Sequence, residues 1–465
     1  TAGDITTTGE SITFTDAVTL TDDVTIDTGI GAGNITFSDT VDASAVRGEG
    51  LTLIAGIGNI LFDDAVGTTE LEQLTITSAA DVIANQSVAA GTITQTNGSG
   101  TTTFNASVTT TQMGGIDLTG TNFTFGDLTG VDNLTTTGGG NVSISNSGLL
   151  DIAANADFVI DGTFLQDGGG TVQTAGDITT TGESITFTDA VTLTDSGTVS
   201  LDTTNAGNIP AGADILFLST LDGEADCDES LTLNAGTMGD VTFTGNVGVI
   251  EPLGDVLIEN ANDVTVMQSF AANSLTQDAG TGTTTINGVV TTKALAGVDL
   301  TTNVIDINAN INVTATALAT ITLDSAGNTT VDGDLLGDDG EISVTSGDSI
   351  AINGLVETGM GAINLAAIND VTFSGTSTLD SETGDITVTA DSGNTGTGGV
   401  ITMADGALID AGSATITLAA DGRVSLGGLL TTNDTADAVA VTSKSADIID
   451  AGDTHIDIVA NSANA

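Results

Sequence analysis

Apolar and polar residues alternate along this chain in very short pieces. Ile12-Thr13-Phe14 and Val18-Thr19-Leu20 each put two apolar side chains on one side of the backbone and a Thr on the other. Such pieces start at Asp4, Ile12, Val18 and Val24, so they recur every six to eight residues. Period-2 alternation of β-branched residues marks a strand with one buried and one wet face. Between the pieces sit Gly, Asp, Asn and Ser, which tolerate tight turns. No stretch carries a persuasive 3.6-residue period, and the nearest helical candidate, GTTELEQL around Glu70, is short.

A longer rhythm lies over this one. The 22 letters TAGDITTTGESITFTDAVTLTD at Thr1 to Asp22 return unchanged at Thr174 to Asp195. GNILFDDAVG from Gly58 answers to GDVTFTGNVG from Gly239, and the segment from Asp81 matches that from Asp263. Self-similarity of this kind is the signature of a repeat architecture. It divides the chain into a first copy at 1–173, a second at 174–307 with a longer acidic loop around 207–230, and a diverged continuation at 308–465.

Short strands, brief turns and no room for helices leave two all-β arrangements. Tandem β-sandwiches would want longer strands and aromatic cores, yet Trp and Tyr are absent and Phe supplies all 13 aromatics. A parallel β-helix (β-solenoid) with three short strands and roughly 20 residues per coil fits better, because its core is a narrow stack of Val, Ile, Leu and Ala. The usual crossover preference makes it right-handed. The copies then form one continuous rod rather than separate globular domains. The chain starts inside its own repeat phrase and stops at HIDIVANSANA. Unpaired strand edges at both ends lead to the expectation of flanking repeats, or of another copy docked end to end.

Charge narrows the function. Lys and Arg total 4 against 62 Asp and Glu, a formal net charge of -58. Arg47, Lys293, Arg423 and Lys444 cannot neutralise a run of phosphates, which argues against nucleic-acid binding and against anionic membrane surfaces. No run approaches the ~18 apolar residues needed to span a bilayer, so membrane insertion is not expected. Cys227 is alone, which fits a secreted bacterial protein stabilised without crosslinks.

GDITVTADSG, ATITLAADGRVSLGGLLTT and GNITFSDTV resemble the repeats of filamentous-haemagglutinin-like bacterial exoproteins and of large surface adhesins. The resemblance implies a right-handed β-helical shaft, secretion across the bacterial envelope, and a role in adhesion or surface architecture, with glycans or other cells as targets. It carries over no binding residue.

Two acidic loops are candidate calcium sites. LDGEADCDES gathers Asp222, Glu224, Asp226, Asp228 and Glu229, and VDGDLLGDDGE gathers Asp332, Asp334, Asp338, Asp339 and Glu341. Alternating carboxylates supply the oxygen ligands that Ca²⁺ takes, although neither loop has EF-hand or calcium β-roll spacing, and a solvated acidic loop is the simpler reading. His455 stands alone near the end and reads as an ordinary strand residue. The Cys227 thiolate is disfavoured by the carboxylates around it. Thr runs such as those at Thr6 and Thr281 suggest a flat ice-binding face, but their spacing drifts and Thr is a good solvent-facing strand residue. Ten Asn-x-Ser/Thr sequons are near expectation for this composition.

The expected protein is therefore not an enzyme. It is an extracellular, cell-surface β-helical shaft for a fibre, sheath or adhesin, assembling end to end with itself, with no required cofactor beyond a role for Ca²⁺ in the acidic loops. The competing reading is a carbohydrate-binding or carbohydrate-cleaving β-helix module, which would need a groove lined by aromatic or basic residues or paired carboxylates.

Overall fold

The computed structural model describes residues 1–126, 129–314, 318–393, 398–452 and 456–460. Among them there is no helix, and the strands pair in parallel as a β-solenoid with about 23 residues per turn, slightly more than the 20 expected. The chain forms two compact units, Thr1–Gly245 and Asn246–Ala465.

In the first unit three strands make each turn, and each stacks on its counterpart one turn on. One stack begins with Ile5–Thr6 and continues through Val24–Asp27 and Leu51–Ile54. A second begins with Ile12–Phe14 and continues through Ile35–Phe37 and Ile60–Phe62. The third begins with Val18–Leu20 and Val41–Ala43. Alternation does the sorting: in Ile35–Phe37 the two apolar residues are buried and Thr36 faces outward. The second unit repeats the scheme, with stacks running from Val298–Thr302 to Val439–Ser443, from Thr283–Ile286 to Ile448–Asp450, and from Val290–Thr292 to Ile458–Ala460.

The cores of the units differ. Unit 2 is filled mostly by the expected Val, Ile, Leu and Ala, with Phe270, Phe373 and Met403 among them, whereas unit 1 contains a Phe ladder. Phe14, Phe37 and Phe62 stack with centroids 5.0 and 5.2 Å apart. Phe104, Phe125, Phe158, Phe164, Phe187, Phe217 and Phe243 form a second run of ring contacts. A solenoid puts equivalent residues one strand spacing apart, about 4.8 Å, which is also the distance at which offset rings attract. Small residues alone are therefore not required.

Corners use polar side chains systematically. Inward Thr residues satisfy turn carbonyls, as Thr28 Oγ1 does to Gly33 O at 2.7 Å and Thr136 Oγ1 to Gly140 O at 2.6 Å. Turn carboxylates and amides accept from the backbone of the next coil. Asn59 N donates to Asn34 Oδ1 at 2.9 Å, Asp81 N to Asn59 Oδ1 at 3.1 Å, and Thr101 N to Asp81 Oδ1 at 3.0 Å. In unit 2, Leu355 N donates to Asp334 Oδ1 at 3.0 Å and Thr415 N to Asp385 Oδ1 at 2.9 Å. Each such bond satisfies an N–H at a corner, where the strand ladder is interrupted.

The duplicated phrase folds into the same strands in both places, but on different stacks. Ile185–Phe187 lies on Phe164–Asp167, in the stack that begins with Ile5–Thr6. Its twin Ile12–Phe14 founds another stack, which the second copy reaches only at Ala190–Leu193. The two copies are thus rotated by one strand column, so the phrase does not present one surface on one side. The extra residues of the second copy lie in turns, chiefly the one at 203–214. The anticipated long acidic loop at 207–230 is instead broken by the strands Ile215–Phe217 and Leu221–Gly223.

Outward Thr25, Thr52, Thr75 and Thr94 stand in register over four coils despite their uneven sequence spacing, and Asp117 follows.

Candidate functional site

The acidic loop after Leu221–Gly223 has a counterpart after Val41–Ala43, and the pair separates scaffold from charge. Asp222 and Glu229 correspond to Asp42 and Glu49, while Glu224, Asp226 and Asp228 stand where Ser44, Val46 and Gly48 do. Both loops turn through a left-handed residue, Arg47 at φ 55° and Cys227 at φ 65°. Both close on a buried glutamate. Glu229 Oε2 accepts from Glu224 N at 3.2 Å and Ala225 N at 3.3 Å, and Glu49 Oε2 accepts from Ser44 N at 2.8 Å. The Ser44 hydroxyl bond holds Glu49 below the usual carboxylate range, against opposing pushes from burial and from Asp23.

Glu229 is therefore the keystone of a turn. Asp226 Oδ1 accepts from the Cys227 thiol at 3.2 Å, and the half-buried cysteine faces a carboxylate rather than a base. Replacing Glu229 by Ala should destabilise the unit by about 1–2 kcal/mol, the net worth of the hydrogen bonds this buried side chain makes to the turn. Asp228→Asn should stay within about 0.5 kcal/mol. Urea denaturation of both variants checks the difference.

The second candidate loop is spread over several corners. Asp332 Oδ1 accepts from Asn353 Nδ2 at 2.6 Å, and Asp334 Oδ2 accepts from Asn310 Nδ2 at 3.1 Å. Glu341 Oε1 accepts from Asn364 Nδ2 at 2.7 Å, while Asp338 is exposed. Leu335–Gly337 lies between the first pair and Asp338 and Asp339. Among the described residues no group of three or more His, Cys, Asp or Glu side chains is arranged to hold a metal ion. His455 lies outside the described residues.

Each unit carries a shallow groove. That of unit 2 has a volume of about 870 Å³ and is lined by Thr291, Asn312, Asp338, Asp339, Glu357 and Glu382, among others. That of unit 1, about 530 Å³, runs over Ala153, Ala154 and Ala175 between Asp151, Asp195 and Glu224. Burial pushes the Asp151 carboxyl up. Neither lining contains an aromatic ring on which a sugar could stack or a cation that could neutralise a uronate.

Beside the unit 2 groove the sequence hides a carboxylate ladder. Glu357, Asp380 and Asp410 are register partners on Leu355–Thr358, Thr378–Ser381 and Leu408–Asp410. Their sequence spacings are unequal, so only the register reveals them. Burial, then Asp410, Glu357 and Glu382, push the Asp380 carboxyl up. At two other corners the direction is opposite: the Thr415 hydroxyl and N–H hold Asp385 low, and the Gly139 N–H and Thr181 hydroxyl hold Asp161 low.

No family model matches the chain, and searches of curated proteins and of solved structures found no significant match.

Proposed function

We propose that this chain is a non-enzymatic structural β-solenoid of the bacterial cell exterior, a shaft element of a surface fibre, sheath or adhesin that associates with copies of itself. The observation that carries the reading is the use made of the acidic side chains. Corner after corner, an Asp or Asn is committed to the backbone of the adjacent coil. Residues bound in this way serve length and stiffness, and the remaining carboxylates give solubility. The exterior location is supported by the lone cysteine and the acidic composition.

Self-association is supported by exposed core-facing residues in unit 2. Ile448 is the register partner of buried Val424, and Ile458 of buried Leu429. Yet Ile448 is 47% and Ile458 42% exposed. Among the described residues their strands pair on one side only. Any further coil laid on them, that of a second copy included, would bury that surface and pair with those strands.

Sedimentation velocity of the purified chain over a range of concentrations tests the reading. Concentration-dependent growth that is abolished by Ile448→Lys together with Ile458→Lys is expected. A chain that stays monomeric throughout, or growth that the double variant leaves intact, would defeat it.

A further inference from the structure

We propose that the Glu357–Asp380–Asp410 ladder is a pH-sensed clasp, in which a proton taken up by Asp380 as the solution is acidified ties three neighbouring coils together. The geometry isolates these carboxylates with one another. In-register parallel strands put their Cα atoms about 4.8 Å apart, and like charges directly opposite are destabilising. The ladder is closed at both ends by apolar partners, Leu336 against Glu357 and Leu430 against Asp410. Neighbouring hydroxyls are committed inward: Thr358 Oγ1 donates to Gly340 O at 2.7 Å, and Ser381 Oγ to Gly361 O at 3.0 Å. Asp410 Oδ1 has the Gly412 N–H at 2.9 Å. Asp380, in the middle, has a carboxylate on either side.

The other charged groups near the ladder are also acidic. Glu382 follows Asp380 on the same coil, and Asp338 and Asp339 line the groove with Glu357 and Glu382. The basic residue of this corner is Lys293, which follows Val290–Thr292. Along the stack, Thr291 is three register steps from Glu357.

The neutral carboxyl of Asp380 has a hydroxyl to donate to Glu357 or Asp410, so repulsion on one side becomes a charge-assisted hydrogen bond. Because the folded group binds its proton more readily than the opened one, local stability rises as pH falls through the folded pKa. At neutral pH the same three coils are held less tightly, giving unit 2 a segment that stiffens on acidification.

Native-state hydrogen exchange of the full chain, with a chelator present to exclude cations and with rates corrected for intrinsic pH dependence, tests this. On acidification from about pH 7 to about pH 4, close to the ordinary range of an opened carboxyl, amides of 355–358, 378–381 and 408–410 should gain protection, and the gain should follow the titration of the folded carboxyl. Asp380→Asn removes the central charge while keeping a donor. It should show raised protection already at neutral pH and no further gain on acidification. Unchanged protection in the parent chain, or the same gain in the variant, would overturn the clasp. Carboxyl NMR provides a readout independent of the variant: Asp380 should titrate above Asp385, and the reverse order would also overturn it.

Discussion

Phe187→Ala should cost about 3–5 kcal/mol, the loss expected when a large ring is deleted from a packed core. Phe187 is fully buried between Phe164 and Phe217, with centroids at 5.2 and 5.5 Å. The chain supplies its own control. Phe14 sits in the same 22-letter phrase, has the same chain neighbours, and is half-buried, with a ring partner in Phe37. Phe14→Ala should cost well under half as much. Since the local sequence is identical, the difference reports the burial and ring stacking that the fold adds at Phe187. Far-UV circular dichroism in urea follows both variants, because the chain has no Trp or Tyr. Solenoid stability is a sum over nearest neighbours, so hydrogen exchange should place the Phe187→Ala damage in Phe164–Asp167 and Ile215–Phe217. Equal losses at the two positions would contradict the packing described here.

The second large effect is expected at a residue with no side chain at all. A Cβ on Gly361 would lie 1.9 Å from Gly340 O, one on Gly384 would lie 1.8 Å from Gly361 O, and one on Gly340 would lie 1.7 Å from Ala319 O. These glycines follow one another at a single corner of unit 2, where the backbones of adjacent coils touch. Close approach, rather than an unusual φ, is what excludes a methyl group. Gly361→Ala must push two coils apart and break the bonds that Gly359 N and Ile363 N make across the corner, to Asp338 O at 2.7 Å and Asp385 O at 3.0 Å. A loss of about 3 kcal/mol, the upper range for overpacking, is expected in thermal or urea unfolding. Gly197→Ala, with open space around its Cβ, should stay within about 0.5 kcal/mol.

The strands are legible in the sequence because their pattern is local. Ile12, Phe14, Val18 and Leu20 point inward as their alternation implies, and so do Ile185, Phe187, Val191 and Leu193. What is not legible depends on register, which no local pattern carries. The long strands Val66–Ser78 and Val88–Gln95 each pair in two stacks. They absorb corners that a count of short pieces would miss, and so the second copy of the phrase lands one column away. Turn length varies in the same way: Ile386 is paired with Ile416, 30 residues on, where Ile12 is paired with Ile35, 23 on.

The acidic residues show the same limit. Asp222 to Glu229 look like a ligand set because five acids crowd together in sequence. The counterpart loop at 42–49 folds comparably with two, Asp42 and Glu49. Glu357, Asp380 and Asp410 draw no notice in sequence, since each is a lone acid in a different strand. Stacking makes them neighbours. The Phe ladder is hidden for the same reason, as scattered aromatics become adjacent only when coils are laid on one another.

A distance along one stack tests the central claim, that successive coils lie in register. Thr13 and Thr192 both face outward on the stack founded by Ile12–Phe14, eight register steps apart. In a Cys227→Ser background, spin labels at Thr13 and Thr192 should be separated by about 38 Å at ~4.8 Å per coil. Moving the second label to Gln173, one coil nearer, should shorten the separation by about 5 Å. A broad distribution, or a separation that does not shorten with that move, would contradict the stacked-coil account.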